Sequence, residues 1–266
     1  MPSQLISSRR DMTGATHASS ASAVLGTELL KLRTVRAPLM LVTVGVLMTA
    51  FFALQPVFDA GREGAPSIGT AASMLTMLSA AGRGQLLALV IGVLTVTGER
   101  RHQTLTATLL HSPHRIRLLY AKAVAAALAG LLLGLLSLAV AGGVAMTSGA
   151  LRGSLVNDDV AVAAAGQLLA YPLYGLLGVG IGSLIMASQP VAVLLPVAWF
   201  LVLESHVEAL ARSLSAWLPG PLTAALANAG EVPHLLPVWA GGLGLLGYGL
   251  SLFGAGAGRL ARRDVG

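Results

Sequence analysis

Hydrophobic positions are gathered into six long apolar stretches, and short polar segments separate them. The stretches are Ala37–Gln55, Ala80–Thr97, Ala123–Met146, Ala161–Ile185, Pro190–Leu203 and Leu235–Ala257. Crossing a hydrocarbon core about 30 Å thick takes roughly 20 apolar residues as a helix, and five of the six are near or above that length. Lipid offers the backbone no hydrogen-bond partner, so each stretch must satisfy its own amides as a helix. The pattern predicts an all-α polytopic membrane protein with six transmembrane helices. Pro190–Leu203 spans only about 21 Å at 1.5 Å per residue, and must borrow from Ala187–Gln189 or Glu204–Leu210. That extension puts Glu204 at or slightly inside the outer boundary, where a carboxylate is costly.

Composition excludes the main alternative. Of 266 residues, 55% are hydrophobic and 11% charged, against about 25% charged in a soluble domain. The longest polar segment, Ser205–His234, is shorter than the roughly 50 residues of a separate domain. The chain therefore reads as one transmembrane domain over 23–266, behind a tail, 1–22, that is rich in Ser, Thr and Ala and expected to be disordered and cytoplasmic. With no cysteine, disulfides, thiolate metal sites and cysteine nucleophiles are excluded.

Charge sets the orientation. Six crossings place both termini and the loops after the second and fourth stretches on one side. That side holds Arg9, Arg10, Lys31, Arg33 and Arg36, then Arg100, Arg101, Arg115, Arg117 and Lys122, then Arg259, Arg262 and Arg263. Arg62, Arg83, Arg152 and Arg212 complete the 17 basic residues on the other side. Cytoplasmic loops are enriched in Lys and Arg, so both termini are expected in the cytoplasm. Topology and lipid headgroups account for the net charge of +6 without nucleic acid. Arginine far outnumbers lysine beside abundant Ala and Gly, which fits a GC-rich bacterial genome.

The apolar stretches hold almost no ionisable group. Only Arg83 falls within one, close to its outer end, where a long side chain can reach the headgroups. Proton-coupled carriers need titratable groups in the membrane, so the pattern argues against one. Sodium coupling through carbonyls and hydroxyls stays open. No His-Glu-x-x-His pair and no Gly-x-x-x-x-Gly-Lys-Ser/Thr phosphate loop occurs; if ATP drives this protein, another chain hydrolyses it. Gly130–Gly134, Gly178–Gly182 and Gly254–Gly258 have the small-xxx-small spacing that lets helices approach closely in lipid.

Two segments outside the bilayer carry further signals. In the loop Gly98–Lys122, Ser112-Pro113 is a helix-start pair, which predicts a short helix over Glu99–Leu110 and a second running from Pro113 into the third crossing. The short helix either hands force to a cytoplasmic partner or is a basic loop held at anionic headgroups. On the outer side, Val207, Leu210, Ala211, Leu214, Trp217 and Leu218 share one helical face. Glu208 and Arg212 pair on the opposite face, and Pro219-Gly220-Pro221 stops the helix. This helix over 204–218 either lies at the headgroups with Trp217 as anchor or forms a re-entrant hairpin. Arg83, Glu204 and Trp217 are candidates for an outer gate, with Arg83 and Glu204 either in contact or separately solvated.

The loop "TGERRHQTLTATLLHSPHRIRLLYAK", Thr97–Lys122, resembles the loop after the second membrane helix in type 2 ATP-binding-cassette transporter permeases of bacteria. Glu99, Thr104, Leu109, Pro113, Arg115 and Lys122 fall in the family's order, although Gln103 stands where the family usually has Gly. "ELLKLRTVR", Glu28–Arg36, resembles the family's cytoplasmic N-terminal helix, and Arg262-Arg263-Asp264 its tail. The resemblance implies a six-helix subunit of an ATP-driven exporter in the cytoplasmic membrane, paired with a second copy or a homologous permease. It further implies two ATPase subunits beneath, which hold the ATP and Mg, so this chain is not itself an enzyme and carries no cofactor. Glu99, Arg100, Arg101, His102, Gln103 and Thr104 are then the coupling residues, and Ser112, Pro113 and Arg115 the turn that follows. The competing classes are a sodium-coupled or passive permease and a non-transporting membrane scaffold.

Overall fold

The structure is a computed structural model that describes residues 21–64, 67–101, 115–149, 158–185, 188–210, 215–227 and 235–262. Residues 1–20 of the expected tail lie outside this set, whereas Ala21 and Ser22 already belong to the first helix. Helices are α1 (Ala21–Thr34), α2 (Arg36–Ala53), α3 (Gln55–Phe58), α4 (Ala71–Ser79), α5 (Gln85–Arg101), α6 (Arg115–Thr147), α7 (Asp158–Leu184), α8 (Gln189–Ala198), α9 (Glu204–Leu210), α10 (Pro219–Leu226) and α11 (Val238–Arg262). A 3-10 segment, Ala80–Gly84, joins α4 to α5, and a π-helical turn, Trp199–Leu203, joins α8 to α9. Among the described residues there is no strand. Six spans are long and apolar enough to cross a bilayer: Arg36–Phe58, Ala72–Gly98, Ile116–Thr147, Asp158–Leu184, Gln189–Val207 and Val238–Arg259. The chain is a multi-pass, all-α membrane protein.

Each expected stretch overlaps one of these spans, with Ile185 and Leu235–Pro237 left outside, and two spans extend further than expected. The second span begins at Ala72 rather than Ala80, because Thr70 caps α4 by accepting the Ser73 amide at 3.2 Å. Ser73, Thr76 and Ser79 hide that helix from an apolar pattern, yet their hydroxyls turn back onto carbonyls of the preceding turn. The fifth span does borrow from both sides, reaching Gln189 and Val207. Beyond the C-terminal end of α6, Gly149 with φ of 77° supplies the left-handed residue that ends a helix.

The hub is α7, which packs against α5, α6 and α11. Its glycines let backbone meet backbone. A Cβ on Gly178 would overlap the Leu89 carbonyl oxygen, one on Gly175 would stand 2.6 Å from the Ala126 oxygen, and one on Gly180 2.8 Å from Leu252 Cβ. Leu89, Leu133, Tyr171, Leu177, Leu222 and Leu245 fill the core around these crossings.

Candidate functional site

Two polar centres interrupt this apolar bundle. The first is where the end of α5 meets the start of α6, beside the segment that joins them. Glu28, on α1, is 3% exposed and Lys122, on α6, is 4% exposed. Lys122 Nζ donates to Glu28 Oε2 at 2.9 Å and to the Thr95 carbonyl of α5 at 2.9 Å. Lys31, one turn along α1, donates to Glu28 Oε1 at 2.8 Å. The two lysines of the chain thus meet on one carboxylate, which ties α1 to both helices flanking 102–114. Desolvating the pair is expensive, and good geometry with further hydrogen bonds must offset it; the Thr95 carbonyl and Lys31 supply them. Sequence reasoning missed this cluster, naming Glu28 only as the start of a segment that resembles a family helix and Lys122 only as the end of a loop. An acid with a lysine three residues on, in a chain with only one other lysine, was the available signal.

Part of the expected coupling segment lies within the described residues. Glu99, Arg100 and Arg101 form the last turn of α5, continuous with the membrane helix rather than opening a separate one. His102, Gln103, Thr104, Ser112 and Pro113 lie outside the described residues, as does most of the expected helix Glu99–Leu110. Arg115 is the first described residue of α6; Pro113, from which the third crossing is expected to be entered, precedes the described residues.

The second centre is in the fifth span. Glu204 is 4% exposed, and its Oε1 accepts the Gly220 amide at 2.5 Å. Gly220 belongs to the first turn of α10, so the carboxylate meets the positive end of that helix. Pro219-Gly220-Pro221 therefore starts a helix instead of only stopping one: Pro219 has no amide to satisfy there, and Glu204 takes the amide of Gly220. The depth is given by α7, because Thr223 Oγ1 lies 3.0 Å from the hydroxyl of Tyr174, in the middle of Asp158–Leu184. Pro219, Leu222, Thr223, Ala225 and Leu226 are buried. After the fifth span the chain returns as a hairpin, with α10 packed in the bundle against α7 and α11.

Leu210 is 87% exposed and Trp217 53% exposed, so neither of these two members of the predicted apolar face is buried in the bundle. Ala211, Arg212 and Leu214, and the Glu208 side chain, lie outside the described residues. The proposed Arg83–Glu204 contact also does not form. Arg83 stacks its guanidinium over the Phe52 ring, 4.7 Å from the centroid, a cation–π contact, while Glu204 holds Gly220. Arg83 is no longer close to an end, since the span starts eleven residues earlier at Ala72. Nor are the spans free of ionisable groups: Arg83, Lys122 and Glu204 all lie within them. The buried carboxylate of Glu204 is a titratable group inside a span, the kind proton coupling uses.

Glu204 is expected to be separable by substitution. Glu204→Gln keeps an acceptor for the Gly220 amide and should melt near the parent. Glu204→Leu leaves that buried amide without its acceptor and should lose about 1–3 kcal/mol, read from unfolding in mild detergent.

Among the described residues, no group of three or more His, Asp or Glu side chains could hold a metal ion. No protein-family model, curated protein or solved structure matches the chain.

Proposed function

We propose that this chain is the membrane-spanning subunit of an ATP-driven exporter of the type 2 ATP-binding-cassette class, in the cytoplasmic membrane of a bacterium. The observation that carries the reading is the Glu28 centre. A carboxylate on the N-terminal helix, both lysines and the Thr95 carbonyl join the helices on either side of 102–114. A push on that segment, whose sequence resembles the family's coupling loop, therefore reaches three helices together. Two permease copies, the second identical or homologous, enclose the path. Two ATPase subunits hold ATP and Mg beneath them, and no residue of this chain does covalent chemistry. The work is a shift between inward- and outward-facing populations, with a hydrophobic or amphipathic substrate as cargo and no nucleic acid involved.

The test is co-purification from native membranes followed by ATP hydrolysis in proteoliposomes. An ATPase should travel with the chain. Arg100→Glu with Arg101→Glu should release it, or uncouple its hydrolysis from transport, while membrane insertion is unchanged. Coupled transport at the parental rate in that double variant would count against the reading.

A second reading has its own observation. Glu204, a buried carboxylate inside the fifth span, is the kind of group an ion-coupled permease uses. Transport by the chain alone in vesicles, driven by a proton or sodium gradient, would favour it. No transport with any ATPase or gradient would favour a membrane scaffold.

A further inference from the structure

An apolar cavity of about 370 Å³ lies between α7, α8, the π-helical turn, the start of α10 and α11. That volume is within the roughly 300–1,000 Å³ of small-molecule sites. Leu177, Ile181 and Leu184 form one wall at i, i+4 and i+7 of α7, and Trp199 stands on the π turn. On the facing helix Tyr248 and Leu252 line the cavity, and Arg259 continues their stripe at i+11. From Tyr248 to Arg259 the helix rises about 16 Å, roughly half a hydrocarbon core of about 30 Å. Arg259 thus stands half a core from the Tyr248 level of the groove, beyond its lining, while Pro219 lines the groove within the bundle.

A cation stands beside its Leu184 end. Arg259 is exposed, and its Nη1 donates to the carbonyl of Leu184, a wall residue, at 3.0 Å. A guanidinium has five N–H donors, and this bond uses one. An uncharged groove with a cation beside one end complements an anionic amphiphile and nothing fully water-borne. We propose that this groove binds an anionic phospholipid from the leaflet on Arg259's side, with one acyl chain along the Leu177–Leu184 wall and the headgroup on Arg259. The assignment is independent of what the chain transports, and of whether an ATPase drives it.

Tryptophan quenching tests it directly. In the full chain carrying Trp217→Phe and Trp239→Phe, Trp199 is the sole indole. In phosphatidylcholine vesicles, a small mole fraction of tail-brominated phosphatidylglycerol should quench Trp199 about fivefold more strongly than tail-brominated phosphatidylcholine, the enrichment one basic residue gives at a membrane surface. Arg259→Gln should erase that preference, Arg259→Lys should keep most of it, and Ile181→Phe, which fills the groove, should lower quenching by both lipids. Equal quenching by the two lipids in the parent overturns the proposal, and so does a preference that survives Arg259→Gln. Quenching by neither lipid, the result a second copy seated over the groove would give, overturns it as well.

Discussion

Gly178→Ala is expected to push α5 away from α7 and lower the melting temperature in mild detergent by several degrees, and Gly178→Leu to yield no folded protein. The new Cβ would overlap the Leu89 carbonyl oxygen, with Leu89 C at 2.9 Å and Gly92 Cα at 3.0 Å. These are backbone atoms, which cannot rotate aside as a side chain can. Overpacking of this kind costs about 1–3 kcal/mol even where neighbours adjust, and here both neighbours are fixed by their own helices. Gly254→Ala is the control, because a Cβ there has nothing within 4 Å. Its melting should match the parent or exceed it slightly, since alanine is the better helix former. Thermal melts of the three variants, with size-exclusion profiles to count folded material, check the contrast.

Glu28→Gln is expected to be the most damaging single change of charge. It leaves Lys122, with its side chain 5% exposed, without its anion, and breaking a buried pair by removing one partner costs about 3–5 kcal/mol. Lys31→Ala removes the other lysine on the same carboxylate, but that side chain is 43% exposed and the loss should stay within about 1 kcal/mol. Glu28→Gln with Lys122→Met, which removes both buried charges, should recover much of the stability. A double variant as unstable as Glu28→Gln would show that the cost comes from packing rather than from the orphaned ammonium. Denaturation by increasing SDS in mixed micelles measures all three.

The six crossings were legible because apolar length is a bulk property that local detail does not disturb. The small-xxx-small spacings were a mixed guide. Gly130–Gly134 and Gly178–Gly182 do mark close approaches, to Tyr171 and to α5, whereas Gly254 and Gly258 face nothing. Spacing says which glycines share a face; it does not say whether a partner stands opposite. On α11 the crowded glycines are Gly241 and Gly244, against Leu222, Gly249, against Leu176, and Gly256, against Ser183.

The polar centres were hidden for a different reason. Glu28 and Lys122 are 94 residues apart, and nothing local to either tells which partner the bundle will bring. Glu204 was noticed, but its neighbour was sought at the nearest opposite charge, Arg83. The structure answers its charge with the amide of Gly220, at the start of a helix. Helix ends are invisible to a charge count, and a Pro-Gly-Pro sequence reads equally as an end or a beginning. The second span was cut short because serine and threonine hydroxyls, bonded back to their own helix, count as polar in a pattern while costing little in the bilayer.

The π-helical turn has a consequence for the azimuth of everything beyond it. Each residue advances an α-helix by about 100°, and a π turn holds one residue more than an α turn in the same rise. Trp199–Leu203 is thus a built-in phase offset halfway along the fifth span. Without the offset, the Glu204 carboxylate would point about a quarter of a circle away from Gly220, and α10 would have no anion at its first turn. The widened turn is what aims the hairpin inward.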